Sequence, residues 1–414
     1  MKTGLLKTRL ARMRILLVSD YATPTGGAEL MILSLREALR KRGHDARLFA
    51  SSAHPLNVPS EADYECLGIT SRLRGLIQIA NLSAYWGLRR VLQEFRPDVV
   101  HVRLFLSQLS PAILPLLRDI PAIYHVAWYR PICPIGTKML PDGSPCREPA
   151  GTACLSNRCF PAYAWPTAML QMKLWRHWRD AFNLIVANSD ATRRRLEAEG
   201  IDPVEVVWNG VPVRPARSRL SPRPTIVFAG RLVREKGADV LLEAFARLQA
   251  HIPEARLLIA GEGPERDRLK SQISRLHLNS SADLIGYLPR LELEKRFNEA
   301  WVQVVPSRWE EPFGIAAAEA LMRGTALIAS CTGGLSEIVQ HGQTGILVPP
   351  QDAGALAEAL FLLVEDPARA ERMGTNGREF ALRYLTEEAF VDRFQNLYGR
   401  LLCPEGDLSL RAQQ

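Results

Sequence analysis

The chain is poor in several signals that would narrow its class at once. No stretch approaches the roughly 18 to 20 consecutive apolar residues of a membrane-spanning helix. The first fourteen residues are basic (Lys2, Lys7, Arg9, Arg12, Arg14) but hold no long apolar segment, which reads against a signal peptide. Internal repeats and low-complexity tracts are missing. So are helix-turn-helix, zinc-finger and aromatic-rich RNA-binding signatures, so nucleic acid is not an expected partner. Gly26-Gly27-Ala28-Glu29 departs from Gly-x-Gly-x-x-Gly, which counts against a dinucleotide-dependent oxidoreductase. Cysteine is scarce, seven in 414 residues, and an odd number cannot pair fully. The expectation is a cytoplasmic protein, free or peripheral at the inner face of the cell membrane.

What is present is ample apolar material, 47% of residues, over a length that exceeds one ordinary domain. Short apolar runs at 14–19, 46–50, 98–101, 122–125, 184–187 and 204–207 read as strands. Helical patterns lie between them, for example 27–42 and 191–199. A Pro- and Arg-rich linker follows from Trp208 to Pro224. The alternation then resumes with strands at 225–229, 256–260, 284–286, 302–305, 326–329 and 345–348. This pattern predicts an α/β protein of two Rossmann-like domains facing each other across an interdomain cleft, each with a mostly parallel sheet. The expected divisions are 1–215, 216–385 and a C-terminal segment 386–414.

The net charge of +8 is unevenly held: 28 basic against 18 acidic residues up to Pro215, and 24 against 26 beyond it. The first half therefore faces something anionic, a lipid-phosphate acceptor or an acidic membrane surface being the simplest choices. Two basic amphipathic segments suit such a surface, Ser71 to Arg90 and Trp165 to Arg179 with Trp175 and Trp178. The first could equally pack into the first domain's core, and for the second such packing is the preferred reading.

The densest motif runs from Pro306 to Glu319. Trp301-Val-Gln-Val-Val305 is a buried strand stopped by Pro306, and the Ala-rich run from Ile315 to Leu321 is strongly helical. Glu311 then sits in the loop and Glu319 about two turns into the helix, with seven residues between them. The helix N-terminus between them suits a phosphate. Upstream, Ile226-Val-Phe-Ala-Gly230 runs into Arg231 and then Lys236-Gly237, which sets two cations at a strand-to-helix crossing. Such crossings are where open α/β sheets bind ligands. Gly261-Glu262-Gly263-Pro264, Gly333-Gly334 with Glu337, and Gly342-x-Thr344-Gly345 follow three further strands.

In combination these motifs resemble the retaining, nucleotide-sugar-dependent glycosyltransferases of family four, with the GT-B fold, over Arg14 to about Leu402. The resemblance implies that Glu311 binds donor-sugar hydroxyls and Glu319 the ribose hydroxyls. It implies that Arg231, Lys236 and the backbone at Phe313, Gly314 and Ile315 stabilise the leaving diphosphate. Gly26 and Gly27 would pass close to that diphosphate, and the turn at Tyr287 would read the base. The last helix, 386–402, would cross back to the first domain. The expected partners are a UDP- or GDP-sugar and a lipid-linked or oligosaccharide acceptor. No cofactor is expected, since cations on the protein replace the Mn²⁺ of other glycosyltransferase folds. Relatives often carry His-Asp at the end of the fourth main strand. This chain has His125-Val126, which keeps His125 as a catalytic candidate but removes the Asp. His101 reads as a core or cleft-lining residue.

Cys133, Cys146, Cys154 and Cys159 cluster in one loop. They are candidates for a structural zinc site, against plain thiols in an acceptor-binding loop. A nucleotide-sugar epimerase of the same fold, or a non-catalytic nucleotide-sugar-binding subunit, are the alternatives to a transferase.

Overall fold

The computed structural model describes residues 12–24, 26–53, 58–69 and 74–403. They form two compact units, each made from separate chain segments. The first unit runs to Gly136, resumes at Arg147–Asn209, and takes the chain again from Glu387. The second comprises Thr137–Cys146 and Gly210–Thr386.

In the first unit, seven parallel strands adopt the order β3-β2-β1-β4-β5-β6-β7. They are β1 (Arg14–Val18), β2 (Asp45–Ser51), β3 (Tyr64–Cys66), β4 (Val99–Val102), β5 (Ala122–Val126), β6 (Leu184–Ala187) and β7 (Val204–Val206). Runs such as Ile15-Leu-Leu-Val18 are buried throughout, as a parallel sheet covered on both faces requires. His101 on β4 stands opposite Ile123 on β5. Side chains two apart share a face, so His125 lies on the same side of the sheet as His101. The helix Glu387–Leu402 covers that side with Phe390, Phe394 and Tyr398. Phe394 has its ring centroid 4.7 Å from both imidazoles. Each buried aromatic of this kind contributes on the order of 2–3 kcal/mol of apolar burial.

The second unit holds six parallel strands in the order β10-β9-β8-β11-β12-β13. They are β8 (Thr225–Ala229), β9 (Arg256–Ala260), β10 (Ala282–Gly286), β11 (Val302–Val305), β12 (Ala326–Ser330) and β13 (Ile346–Val348). Phe228, Leu241, Phe245, Leu257 and Leu360 anchor one face of its core. In each unit the chain turns back in strand order beside the first strand it lays down, between β1 and β4 and between β8 and β11. The carboxyl ends of those strands border a ligand crevice.

Thr137–Cys146 is a tight hairpin, closed by Leu140 N–H to Ser144 O at 2.8 Å and the Met139–Pro145 bridge. Arg234 holds its tip, donating to the carbonyls of Pro141 at 2.5 Å and Asp142 at 3.2 Å. Sequence reading left this stretch inside the first domain, because a ten-residue hairpin carries no mark of the unit it packs on.

Candidate active site

Around the β8–β11 crevice, two loops meet. The loop after β8 carries Arg231, makes a short turn at Arg234–Lys236, and enters the helix Ala238–Gln249 through Gly237. A Cβ at Gly237 would lie 2.0 Å from the carbonyl oxygen of Pro306, so only glycine lets the two loops approach this closely. Arg308 N–H donates to Glu235 O at 2.9 Å, and the Arg308 guanidinium pairs with Asp239 at 2.5 Å. These contacts fix Lys236 against the loop after β11.

There the Lys236 Nζ meets Glu311 Oε1 at 2.5 Å, and the Ser307 hydroxyl donates to the same oxygen at 2.6 Å. The Lys236 ammonium also lies 5.2 Å from the Trp309 ring centroid. Burial alone would push the Glu311 carboxyl up. The Lys236 charge and the hydrogen bonds from Lys236 and Ser307 outweigh it and hold the group below its ordinary value, so it is ionised at neutral pH. The Gly334 N–H donates to Glu311 O at 2.7 Å, which ties the Gly-Gly turn after β12 to the same loop.

Phe313 is buried, and its backbone leads into Gly314, which caps the helix Ile315–Arg323 at φ +97°. Only a residue without Cβ takes that angle cheaply. Glu319 is the fifth residue of this helix, little more than one turn in rather than two, because the helix begins after Gly314. Its carboxylate is half-buried and pairs with Arg290 at 2.5 Å. Arg231 points outward, 65% exposed at its side chain and 3.7 Å from Glu235. Tyr287 is half exposed just beyond β10. The fold thus brings together Lys236, Glu311, Ser307 and Trp309. Arg231, Glu319 and Tyr287 stand apart in their own contacts. Ser307, Arg308 with Asp239, and Arg290 escaped sequence reading, since a lone polar residue in a loop has no periodicity to betray it.

In the first unit Gly26 caps the helix Gly27–Lys41, and Glu29 folds back over it so closely that a Cβ at Gly26 would sit 2.3 Å from its carboxylate. His125, the catalytic candidate, is fully buried with both ring nitrogens occupied. Its Nδ1 lies 3.3 Å from His101 Nε2, and its Nε2 contacts Arg103 Nη1. His101 Nδ1 lies 2.7 Å from the Tyr398 hydroxyl. Burial, followed by the Arg103 charge, pulls His101 down to about 3 and His125 well below its ordinary value. Both are neutral at pH 7.

The four-cysteine zinc site does not form. Among the described residues no three His, Cys, Asp or Glu side chains gather as ligands. Cys146 ends the hairpin Thr137–Cys146, Cys133 is buried, and Cys154 rides the short helix Thr152–Ser156. The second amphipathic segment takes the core-packing reading of the two its sequence allows. Trp175 is wholly buried with its indole N–H on Pro131 O at 3.0 Å, so its apolar face is core. Of the first segment, residues 71–73, including Arg72, lie outside the described residues. Beyond them Leu82 and Trp86 stand exposed, with the Arg89 guanidinium 5.2 Å from the Trp86 ring centroid. Among the described residues no helix is long and apolar enough to cross a membrane.

Two family profiles cover most of this architecture. "Glycosyltransferase Family 4" matches residues 25–214, and "Glycosyl transferases group 1" matches 214–380. The chain belongs to glycosyltransferase family 4. Among its relatives in the family, the glycogen synthase of Mycobacterium tuberculosis is 34% identical over 208 residues, 49% of this chain and 50% of that protein. The chain thus spans about half the length of the first relatives it matches. The phosphatidyl-myo-inositol mannosyltransferase of Mycobacterium leprae is 27% identical over 90% of this chain and 93% of its own. Among solved family 4-like folds, sucrose-phosphate synthase from Thermosynechococcus elongatus superposes with a TM-score of 0.73 at 23% identity, covering 94% of this chain and 98% of that one. Anabaena HepE, solved with UDP and glucose, superposes with a TM-score of 0.67 at 20% identity, over 93% and 99%. The fold is GT-B, two parallel-sheet Rossmann-like domains.

Proposed function

We propose that this chain transfers a hexose from a UDP- or GDP-sugar to an acceptor hydroxyl, with retention at the sugar carbon. The observation that carries this reading is the Lys236–Glu311 pair at the β8–β11 crevice, beside a helix N-terminus, in a family 4 chain. When the sugar–phosphate bond breaks, negative charge grows on the leaving diphosphate. Lys236, Arg231 and the first-turn N–H groups of Ile315–Arg323 supply fixed positive potential for it, without a metal ion. Glu311, ionised and locked by Ser307, is an acceptor for the donor sugar's hydroxyls rather than a proton donor. Glu319, held by Arg290, takes the ribose hydroxyls, and the turn at Tyr287 lies beside the base. HepE's complex with UDP and glucose supports a nucleotide-sugar donor. An epimerase finds no support among the relatives.

The acceptor is a lipid-linked or oligosaccharide hydroxyl in envelope or exported polysaccharide synthesis. The exposed Leu82–Trp86–Arg89 strip and the basic first half support docking on an anionic membrane face. A thermal-shift screen against UDP-, GDP-, ADP- and dTDP-sugars tests the donor, because a ligand that binds only the native state raises its melting point. One base should shift it and the others should not; no shift with any of them would refute the reading. Vesicle flotation tests the surface. Binding should rise with anionic lipid and fall with salt, and Arg89→Ala with Arg90→Ala should weaken it by about 1 kcal/mol per charge. Wild-type protein that ignores anionic vesicles at low salt would leave the strip without this role.

A further inference from the structure

We propose that Arg103 is an oxyanion-binding residue of the first unit, taking a phosphate oxygen at the β1–β4 crevice while the Tyr398–His101–His125 chain holds its guanidinium in place.

Position comes first. Arg103 directly follows β4, and its N–H continues the ladder to Val18 O at 2.8 Å, so it stands at the carboxyl end of the two strands where strand order reverses. Lys236 borders the matching crevice of the second unit from the other side, in the loop after β8. Charge comes second. Arg103 is 1% exposed, and burying a cation is costly unless a counter-charge meets it. Two other buried arginines obey this: Arg36 pairs with Glu37, Glu61 and Asp63, and Arg323 with Glu294. Arg103 makes no ion pair among the described residues. Asp20, at the end of neighbouring β1, is already spent on the backbone N–H groups of Ser107, Gln108 and Leu109. Glu29 is felt only at longer range.

Hydrogen-bond logic comes third. A guanidinium only donates, so His125 Nε2 must accept from Arg103. His125 Nδ1–H therefore donates to His101 Nε2, and His101 Nδ1–H to the Tyr398 oxygen. The whole chain is neutral and polarised in one sense. It orients the guanidinium without cancelling its charge. Nη2 donates to Asn209 Oδ1 over a long 3.3 Å, and the buried Nε has no partner. Of five N–H groups, two are used, and an oxyanion is the acceptor that satisfies the rest. Asn209's long bond is the one it would replace.

The oxyanion's source is either the donor's diphosphate or a phosphate on the acceptor, which rests on the transferase reading above. The test is calorimetric titration of the full chain with UDP and GDP, and with inorganic phosphate added to nucleotide-saturated protein. Arg103→Gln and Arg103→Lys are compared with wild type and with Lys236→Ala. A donor source predicts that Arg103→Gln weakens the nucleotide diphosphate about ten- to a hundredfold. The nucleoside monophosphate should be weakened less. An acceptor source predicts unchanged diphosphate affinity and loss of phosphate binding. Arg103→Lys, which keeps the charge but not the fork, should fall between. His125→Gln and His101→Gln leave the cation in place and should weaken the same ligand three- to tenfold with near-ultraviolet dichroism intact, which decides the matter if Arg103→Gln does not fold. Diphosphate and phosphate affinities unchanged in the folded Arg103 or His variants overturn the proposal. If Lys236→Ala loses the nucleotide while they do not, the transferase reading survives that result; if Lys236→Ala also binds normally, it falls too.

Discussion

The two crevices are built on one plan and charged differently. After β8, Lys236 meets a carboxylate at 2.5 Å and both groups are largely withdrawn from water. After β4, the Arg103 side chain meets only imidazole and amide among the described residues. Topology dictates where each cation stands, but not how it is balanced. In the second unit the balance is internal, a lysine set directly against a carboxylate. In the first the positive charge is left standing, in line with that half's excess of 28 basic over 18 acidic residues.

The largest effect that could break this comparison is on catalysis. Lys236→Ala and Glu311→Gln should each lower kcat/KM by about a hundredfold or more if both groups act at the reacting centre. Lys236→Ala should also lower the melting point, since it strands a buried carboxylate at a cost of about 3–5 kcal/mol. Steady-state kinetics and calorimetry check both, and near-normal turnover in either variant would remove the second crevice from the chemistry.

A smaller effect separates the crevices by pH. His101 and His125 have folded pKa values far below 6.5, so the unfolded chain binds protons that the native one refuses. Their stabilisation is complete above pH 6.5 and is lost as pH falls from there toward 3. The loss at pH 5 should be about 2 kcal/mol for His101. Glu311 is also depressed, but from 4.5, so its loss begins only below that pH. Denaturation between pH 7 and 5 should therefore steepen in wild type and flatten in His101→Gln, while Glu311→Gln leaves the slope alone. Equal slopes in all three would deny the burial of the histidine chain.

The smallest expected effect is none. Turnover in excess EDTA should match the untreated rate if Lys236 and Arg231 do the work of a cation at the diphosphate. Activity lost to EDTA and restored by Mn²⁺ would mean that the second crevice needs a metal.

Much of the second unit was legible in the sequence. Strands at 225–229, 256–260 and 302–305 are runs of aliphatic residues stopped by Gly or Pro, and each emerges with those bounds. Lys236 and Glu311 stood out because glycines and prolines punctuate their loops. β3 did not, being three residues long at a sheet edge. Nor did Arg103, a single cation after an ordinary strand, whose meaning lies in the absence of a partner that only the fold reveals. Trp175 left two readings open for a similar reason: an amphipathic helix looks the same whether its apolar side meets a core or a lipid.

The helix Glu387–Leu402 also has a consequence in time. Tyr398 lies 297 residues after the His101 it touches. At roughly 5–20 residues per second, tens of seconds of translation separate them. Throughout that interval the face of β4 and β5 has no Phe390, Phe394 or Tyr398 to cover it, and the imidazoles have no terminal hydroxyl. The first sheet to leave the ribosome is thus the last to be finished, and a nascent chain cannot complete the Arg103 site ahead of the Lys236 one.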